Sequence, residues 1–322
     1  MKRFAKAVAH SNIALAKYWG KADALRNLTA VPSLSLTLAA LRTTTSVLFD
    51  PALDSDQFSL SGEAVSGRPL ARVVKLLDAV RAAAGVVDRA RVESVNDFPT
   101  AAGLASSASG FAALAMAATR AAGLEPSLPA VSALARAASA SAARSVYGGY
   151  VALDARAECA ERVCAGSAFP LEMLVAVTVS GPKATASTDG MGHTQSTSPY
   201  YSAWLEAAPH VYGEVRRAVE ARDFAALGPA VEHSALLMHA SMLAARPALI
   251  YFAPATLRVM DRVRGFRQAG GRAFFTMDAG PHVKVLVEPS AARELELELA
   301  KLEGVSSVLR SAAGPDAYWV EP

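Results

Sequence analysis

The 322-residue chain is poor in cysteine, in aromatic residues and in charge, and each shortage narrows what it can be. Its two cysteines, Cys159 and Cys164, have no Cys or His neighbours at metal-ligand spacing, which argues against a disulfide framework or a zinc site. Aromatic residues make up 7% and no basic run occurs, so nucleic acid is not an expected partner. No apolar stretch reaches the roughly 18 residues that span a bilayer, and the N-terminus lacks a signal-peptide core. We therefore expect a cytoplasmic protein with neither a nucleic-acid nor a membrane partner.

Hydrophobic residues are plentiful, at 52% of the chain, and 32 Lys and Arg nearly balance 29 Asp and Glu. Such a chain can bury enough apolar surface to fold, so disorder is excluded. At roughly 100 to 200 residues per domain the length indicates two domains, with one large α/β domain as the alternative.

The hydrophobic pattern mixes strands with helices. Strict alternation over residues 33–38 and a β-branched run over 43–49 predict strands, and helical spacing predicts helices over 70–84, 106–122 and 128–142. Further strands are predicted at 91–95, 150–153, 171–179, 272–277 and 283–287, and further helices at 203–222, 223–240, 255–269 and from 291. This mixture indicates an α/β or α+β fold in two halves, residues 1–169 and 170–322, because a boundary is indicated near 166–170.

A glycine-containing loop between a strand and a helix is the most informative segment. Residues 96–110 read NDFPTAAGLASSASG, which matches neither the P-loop nor the dinucleotide-fold glycine pattern. Small residues leave the backbone uncovered, and Ser106 and Ser107 stand where the helix begins, so free N–H groups and hydroxyls converge there. A polyphosphate site is one interpretation; an ordinary helix cap after a turn is the other.

Three further segments carry polar residues that suit an anionic substrate. Residues 11–21 read SNIALAKYWGK, in which the lysines either hold an anion or are solvated beside a core tryptophan. Residues 139–150 read SASAARSVYGGY, in which Arg144 either recognises a carboxylate or phosphate or lies on the surface. Asp278 follows a predicted strand in TMDAGP, where it is either a proton acceptor or a turn residue.

Together these strings resemble the mevalonate diphosphate decarboxylases of the GHMP kinase superfamily. The matching segments are Asn12 to Lys21, Asn96 to Ala108, Ser139 to Gly149 and Asp278 to Pro281, with a fainter match at Ser187 to Met191. The resemblance covers nearly the whole chain. It implies a two-domain GHMP kinase-like fold, with an N-terminal domain like ribosomal protein S5 domain 2, a ferredoxin-like C-terminal domain and the site in the cleft between them.

By this resemblance, the chain uses ATP and Mg²⁺ to phosphorylate and decarboxylate mevalonate 5-diphosphate, giving isopentenyl diphosphate, and it works as a homodimer. The implied catalytic residues are Asp278, Lys17 and Arg144. The implied substrate-binding residues are Asn12, Tyr18, Lys21, Ser139, Ser141, Arg144, Ser187 and Met191. The implied ATP-binding residues are Asn96, Pro99, Ala102, Gly103, Leu104, Ala105, Ser106 and Ser107, and Ser107 also helps to place Mg²⁺.

The chain departs from the family pattern at four positions: Asp97 and His282 replace asparagines, Ala140 a glycine and Ala143 a cysteine. Asp97 adds a negative charge beside the phosphate loop, which puts the nucleotide contacts in doubt. Three alternatives stay open: a phosphomevalonate decarboxylase, a kinase that does not decarboxylate, and a nucleotide-binding module without catalysis.

Overall fold

The computed structural model describes residues 3–98, 106–178 and 185–321. Its strands β1 to β14 are, in chain order, Arg3–Ala16, Lys21–Asp23, Leu28–Thr29, Ser33–Asp50, Gln57–Leu60, Glu63–Ala64, Arg89–Asn96, Tyr150–Leu153, Glu161–Cys164, Glu172–Thr178, Ala273–Met277, Val283–Val287, Val305–Ala312 and Tyr318–Val320. Its helices α1 to α8 are Arg68–Ala84, Ser106–Ala121, Leu128–Ala138, Ser187–Thr197, Tyr201–Ala221, Phe224–Leu243, Pro254–Gln268 and Pro289–Leu299, and a 3₁₀ helix covers Ala140–Val146.

The N-terminal half is built on an eight-stranded sheet in the order β14-β1-β4-β7-β5-β6, with β8 and β9 branching from β4. Helices α1, α2 and α3 pack on it, and their alanines and branched residues form one core with the sheet. The long β1–β4 pairing shifts register between His10 and Asn12. Such an irregularity re-aims the side chains that follow it, and Asn12 is one of the predicted site residues.

The C-terminal half is built on a four-stranded antiparallel sheet in the order β11-β12-β10-β13. One face packs on α7 and α8 through the valines of β12. The other face joins α5, α6 and the inner ends of β1 and β4 in a second core that crosses between the halves. Ile13, Leu36 and Met173, all 0% exposed, meet there. This shared core holds the end of β1 against the turn between β11 and β12.

The mixed α/β architecture in two halves is as predicted, and most predicted helices and strands fall within a few residues of their positions. Gly85 closes α1 with φ of 65°, the left-handed cap that its glycine suits. The helix predicted over 128–142 was too long, because the chain leaves α3 at Ser139 and tightens into the 3₁₀ helix. Helix α4 was not predicted, since its sequence STDGMGHTQST has almost no apolar periodicity.

The last strand crosses back to the first half, where β14 pairs with β1 through Val8 and Tyr318. The division into 1–169 and 170–322 stays a prediction, and this strand is the part of the second half that joins the first sheet. None of the helices in the described ranges is long and apolar enough to cross a membrane.

Candidate active site

The centre of the candidate site is the Asp278 carboxylate, in the turn between β11 and β12. Lys17, just past the end of β1, donates from Nζ to Asp278 Oδ1 at 2.7 Å, and Lys284 Nζ in β12 lies 3.1 Å from Oδ2. The two lysine side chains are 1% and 0% exposed, whereas that of Asp278 is 29% exposed. The carboxylate is therefore the member of this triad that a bound molecule can reach.

The two ammonium groups set the charge state of the triad. Burial by itself would raise the pKa of the Asp278 carboxyl, but Lys17 and Lys284 outweigh it and hold that pKa well below its usual range. Burial lowers the pKa of Lys17 to about 8, and the attraction of Asp278 limits the drop. At neutral pH Asp278 is thus an anion and Lys17 predominantly a cation. Asp278 is consequently a weak base and a strong hydrogen-bond acceptor.

Arg144 occupies a second buried position, in the 3₁₀ helix, and is 2% exposed. Its Nη1 donates to Ser33 Oγ at 2.7 Å, and its Nε lies 3.0 Å from Ser35 Oγ and 3.3 Å from Asn12 Oδ1. Asn12 is fixed in turn, because its Nδ2 donates to Ser145 Oγ at 2.7 Å. The alternative of a surface arginine is wrong.

The partners of the Arg144 guanidinium are all neutral. Asp278 acts on it through space, and no carboxylate in the described parts of the chain forms an ion pair with it. Burial lowers the pKa of Arg144 to about 10, which leaves it charged at neutral pH. A buried charge without a counter-ion costs several kcal/mol. The position is therefore suited to an anion that arrives with a ligand.

The segment after Lys17 bends sharply around a buried tryptophan. Trp19 is 1% exposed and packs in a cluster with Met191 and Trp204, so it is a core residue. Gly20 has φ of 110°, and a Cβ there would lie 2.1 Å from the Tyr201 hydroxyl, so only glycine fits the turn.

Beyond this turn lies a group of cations that we call the basic rim: Lys21, Arg68 and Arg72. Burial, Arg72 and Arg68 lower the pKa of the half-buried Lys21, which places the three charges within reach of one another. Asp189 is 3.2 Å from Arg68 and offsets one of them. The arrangement suits a ligand with several negative charges.

The predicted phosphate loop lies only partly within the described residues. Pro99, Ala102, Gly103, Leu104 and Ala105 fall outside them. Ser106 and Ser107 are the first residues of α2, as predicted, and Ser107 is exposed.

Hydrogen bonds between side chains connect the first turn of α2 to the neighbouring strands. Asn96 Oδ1 accepts from Thr43 Oγ1 at 2.6 Å, and that hydroxyl lies 2.6 Å from Ser109 Oγ. Asp97 does not present an unpaired charge to the loop, because Arg42 Nε donates to it at 3.0 Å.

A nucleotide triphosphate and Mg²⁺ fit this end of the molecule. The amino end of α2 offers backbone N–H groups and a positive helix dipole to phosphates, and the Ser107 hydroxyl is a hard oxygen donor of the type that Mg²⁺ takes. No group of three His, Cys, Asp or Glu side chains that could hold a metal occurs among the described residues. Mg²⁺ that is held chiefly by phosphates and water needs no such group.

The remaining predicted residues surround these features. Ser139 and Ser141 lie at the start of the 3₁₀ helix, and Asn12 Nδ2 donates to the Ser141 carbonyl at 3.0 Å. Tyr18 is half-buried and faces the charge of Arg144. Ser187 opens α4 next to the basic rim, whereas the Met191 side chain packs in the Trp19 cluster.

Several residues of the site were not predicted. Lys284 is a lone charge in the buried strand VKVLV, a signal that a partner had to be near. Ser33 and Ser35 share one side of the alternating strand SLSLTL, which looks like a solvent face but is buried and faces Arg144. Arg68 and Arg72 carry no local signal, since surface arginines on a helix are common.

His239 is a further titratable side chain beside the triad. It is 2% exposed on α6, its ring centroid lies 4.5 Å from that of Phe252, and burial lowers its pKa to about 4. It is therefore neutral at physiological pH and adds no charge next to Asp278.

The two-domain α/β architecture is that of the GHMP kinase-like class. Two sequence profiles match the chain: "Diphosphomevalonate decarboxylase-like N-terminal domain" over residues 9–164 and "Mevalonate 5-diphosphate decarboxylase C-terminal domain" over residues 173–309. The chain belongs to the mevalonate diphosphate decarboxylase family.

Individual relatives agree with this membership. Diphosphomevalonate decarboxylase of Eremothecium gossypii is 35% identical over 86% of this chain and 76% of its own, and phosphomevalonate decarboxylase of Haloferax volcanii is 32% identical over 97% and 96%. A solved structure of MDDEF in complex with MVAPP, AMPPCP and magnesium superposes with a TM-score of 0.93 at 40% identity, covering all of both chains.

Proposed function

We propose that the protein catalyses ATP-dependent decarboxylation of mevalonate 5-diphosphate, giving isopentenyl diphosphate, ADP, phosphate and CO₂. The observation that carries this proposal concerns two groups. The Arg144 guanidinium is buried with neutral hydrogen-bond partners, and it lies close to the partly exposed Asp278 anion. This pair of groups suits a substrate in which a carboxylate and a hydroxyl are carried on neighbouring carbons.

Asp278 receives the 3-hydroxyl of the substrate. Its carboxylate keeps free lone pairs toward the ligand side while Lys17 and Lys284 occupy one position on each oxygen. As a weak base it orients the hydroxyl in the ground state and takes up its proton as the oxygen–phosphorus bond forms. The Lys17 ammonium, which is bound to Asp278, lies beside the 3-hydroxyl oxygen of the substrate as well and stabilises the negative charge that develops on it.

Arg144 holds the substrate carboxylate. The Ser33, Ser35 and Asn12 contacts fix one side of its guanidinium and leave the remaining N–H groups for a bidentate ion pair. Tyr18, Ser139 and Ser141 line this region as further substrate contacts. Holding the carboxylate fixed relative to the hydroxyl carbon supplies the orientation that fragmentation needs.

The basic rim binds the diphosphate, with Ser187 at the start of α4 and Met191 beneath it. A diphosphate carries more charge than a monophosphate, and three cations, of which Asp189 offsets one, suit the larger charge. This feature favours the diphosphate over mevalonate 5-phosphate, the substrate named for the Haloferax relative.

ATP lies with its phosphates at the start of α2, where Ser106 and Ser107 hold them. When bound, Mg²⁺ neutralises charge on the phosphates that are transferred and released. The γ-phosphoryl group passes to the 3-hydroxyl oxygen, and the carbon–oxygen bond then breaks to release phosphate. The carbon–carboxylate bond supplies the electrons for the new double bond as CO₂ leaves.

The test is stoichiometric. Purified protein with MgATP is given either mevalonate 5-diphosphate or mevalonate 5-phosphate, and ADP and CO₂ are measured together. We expect equal amounts of both from the diphosphate. Turnover of the monophosphate alone would establish the phosphomevalonate alternative, and ADP without CO₂ would establish a kinase. The absence of both products would establish a nucleotide-binding module.

We also propose a cytoplasmic homodimer, and a monomer mass in sedimentation equilibrium would contradict the oligomeric state.

Lys21→Ala is expected to raise KM for the diphosphate by about 10- to 100-fold while kcat changes by less than about threefold. The ammonium contacts a phosphate that does not react, so its binding energy is the same in the ground state and the transition state. Lys301→Ala, at an exposed lysine after α8, is the matched control and should leave KM unchanged. A fall in kcat alone would place Lys21 at the reacting end.

Activity is expected to fall as the pH rises above about 8, because the Lys17 ammonium, whose pKa burial lowers to about 8, then loses its proton. Neutral lysine can no longer stabilise the developing charge, so kcat should drop by up to tenfold per pH unit. The check is a pH–rate profile of the wild type and of Lys17→Arg, whose guanidinium stays charged. If the arginine variant keeps the same alkaline limb, Lys17 is not the group that titrates.

A further inference from the structure

Lys284 is an unusual residue for its place in the fold. Every residue of β12 is buried, and the period of two puts Val283, Val285 and Val287 in the core with α7 and α8. Lys284 points to the other side, together with Leu286, and is 0% exposed. A buried ammonium costs several kcal/mol unless it is paired, so its retention needs a specific partner.

That partner is the reacting carboxylate. Lys284 Nζ lies 3.1 Å from Asp278 Oδ2 and donates to the His282 carbonyl at 3.3 Å, while Lys17 holds Oδ1 at 2.7 Å. The two ammonium groups come from different halves of the protein: Lys17 directly follows β1, and Lys284 lies in β12. Since Lys284 is inaccessible, any effect that it has on the reaction passes through Asp278.

One ammonium alone leaves a carboxylate free to rotate about its Cβ–Cγ bond, whereas two ammonium groups on different oxygens fix its plane. We propose that Lys284 is a positioning residue, which clamps the second oxygen of Asp278 so that the carboxylate is held as a correctly oriented anion for the substrate hydroxyl. This inference rests on the proposed function. It adds Lys284 to the residues on which the reaction depends, and Lys284 is not among the predicted catalytic residues.

The surroundings of Asp278 leave few groups to share this role. Lys17 faces it from the segment after β1, Lys284 from β12, Arg144 from the 3₁₀ helix and His239 from α6. His239 is neutral and Arg144 forms no ion pair with Asp278. Among the described residues, removing the Lys284 charge leaves Lys17 as the one cation paired with Asp278, and the Asp278 carboxyl then protonates at higher pH.

The experiment compares Lys284→Met, Lys284→Arg and wild type in kcat and KM from pH 3.5 to 9. We expect Lys284→Met to lower kcat by about 100-fold with KM within threefold. We also expect this variant to gain an acid limb within the range, where wild type has none because its two lysines hold the Asp278 pKa well below its usual value. Lys284→Arg should recover at least tenfold in kcat and remove the acid limb. Val285→Ala, on the opposite side of the same strand, controls for lost packing and should not move the profile.

A second readout does not depend on turnover. In protein labelled with ¹³Cγ-aspartate, the Asp278 signal is assigned by its absence in Asp278→Asn, and its titration is followed in each variant. If Asp278 begins to protonate at a higher pH in Lys284→Met than in wild type, the clamp is supported. Identical titration curves overturn it, and this result does not depend on which substrate the enzyme takes. Absence of CO₂ release by wild type would instead refute the proposed function. If Lys284→Met does not fold, Lys284→Gln provides the same comparison.

Discussion

Asp278→Asn is expected to lower kcat by about 10³- to 10⁴-fold while KM for the diphosphate changes by less than about threefold. Asp278 is the accessible member of a triad whose two lysines are buried, so it is the group that a substrate hydroxyl can reach. The amide has the same size but carries no charge to hold the departing proton. The measurement is steady-state release of ADP and CO₂, with binding of the diphosphate followed separately by calorimetry.

The asparagine variant also leaves two buried ammonium groups without their anion, which costs stability. Its fold is therefore checked by thermal unfolding before the rates are compared. Asp261→Asn removes an exposed carboxylate from α7 in the same half and should retain wild-type turnover. A folded Asp278→Asn protein with kcat within tenfold of wild type would show that Asp278 does not act on the reacting hydroxyl.

Arg144→Gln is expected to lower kcat/KM by about 10³-fold or more, through a lower kcat and a higher KM. The substrate carboxylate would lose its charged partner, and a bidentate, buried ion pair is among the strongest polar contacts that a site can make. The Arg144→Lys variant should not restore activity, because one ammonium nitrogen cannot contact Ser33 and Ser35 and still form a planar fork toward a carboxylate. The measurement is the same coupled assay.

The matched control for losing a buried arginine is Arg81→Gln. Arg81 is 7% exposed at the end of α1 and donates to Asp56 at 2.8 and 2.9 Å, and it also pairs with Asp78; neither carboxylate is one of the site residues. Its loss should lower the free energy of unfolding by about 3–5 kcal/mol, because Asp56 stays buried and unpaired, and leave kcat of the folded fraction unchanged. If Arg144→Gln loses no more turnover than Arg81→Gln, the carboxylate assignment is wrong.

Local pattern was enough to predict most elements but not the irregular ones. Helix α1 has apolar residues at helical spacing and a glycine at its end, so the local sequence indicates both the helix and the residue where it ends. Helix α4 has neither, and it is helical because Gly190 and Met191 pack against Trp19, a contact across more than 160 residues of chain. The end of α3 was missed because the alanines that follow continue a helical composition into a 3₁₀ turn.

By itself, the sequence determined the two-part α/β fold and the family, and it predicted Lys17, Arg144 and Asp278 as catalytic groups, because motif identity and hydrophobic period are local properties. Only the tertiary structure decided what holds those groups. The Ser33 and Ser35 contacts to Arg144 and the second ammonium on Asp278 depend on strands that are distant in the chain. Burial and ion pairing are properties of that assembled geometry, and they decide charge state, so the difference between an ordinary lysine and a clamp on the reacting carboxylate appears only once the chain is folded.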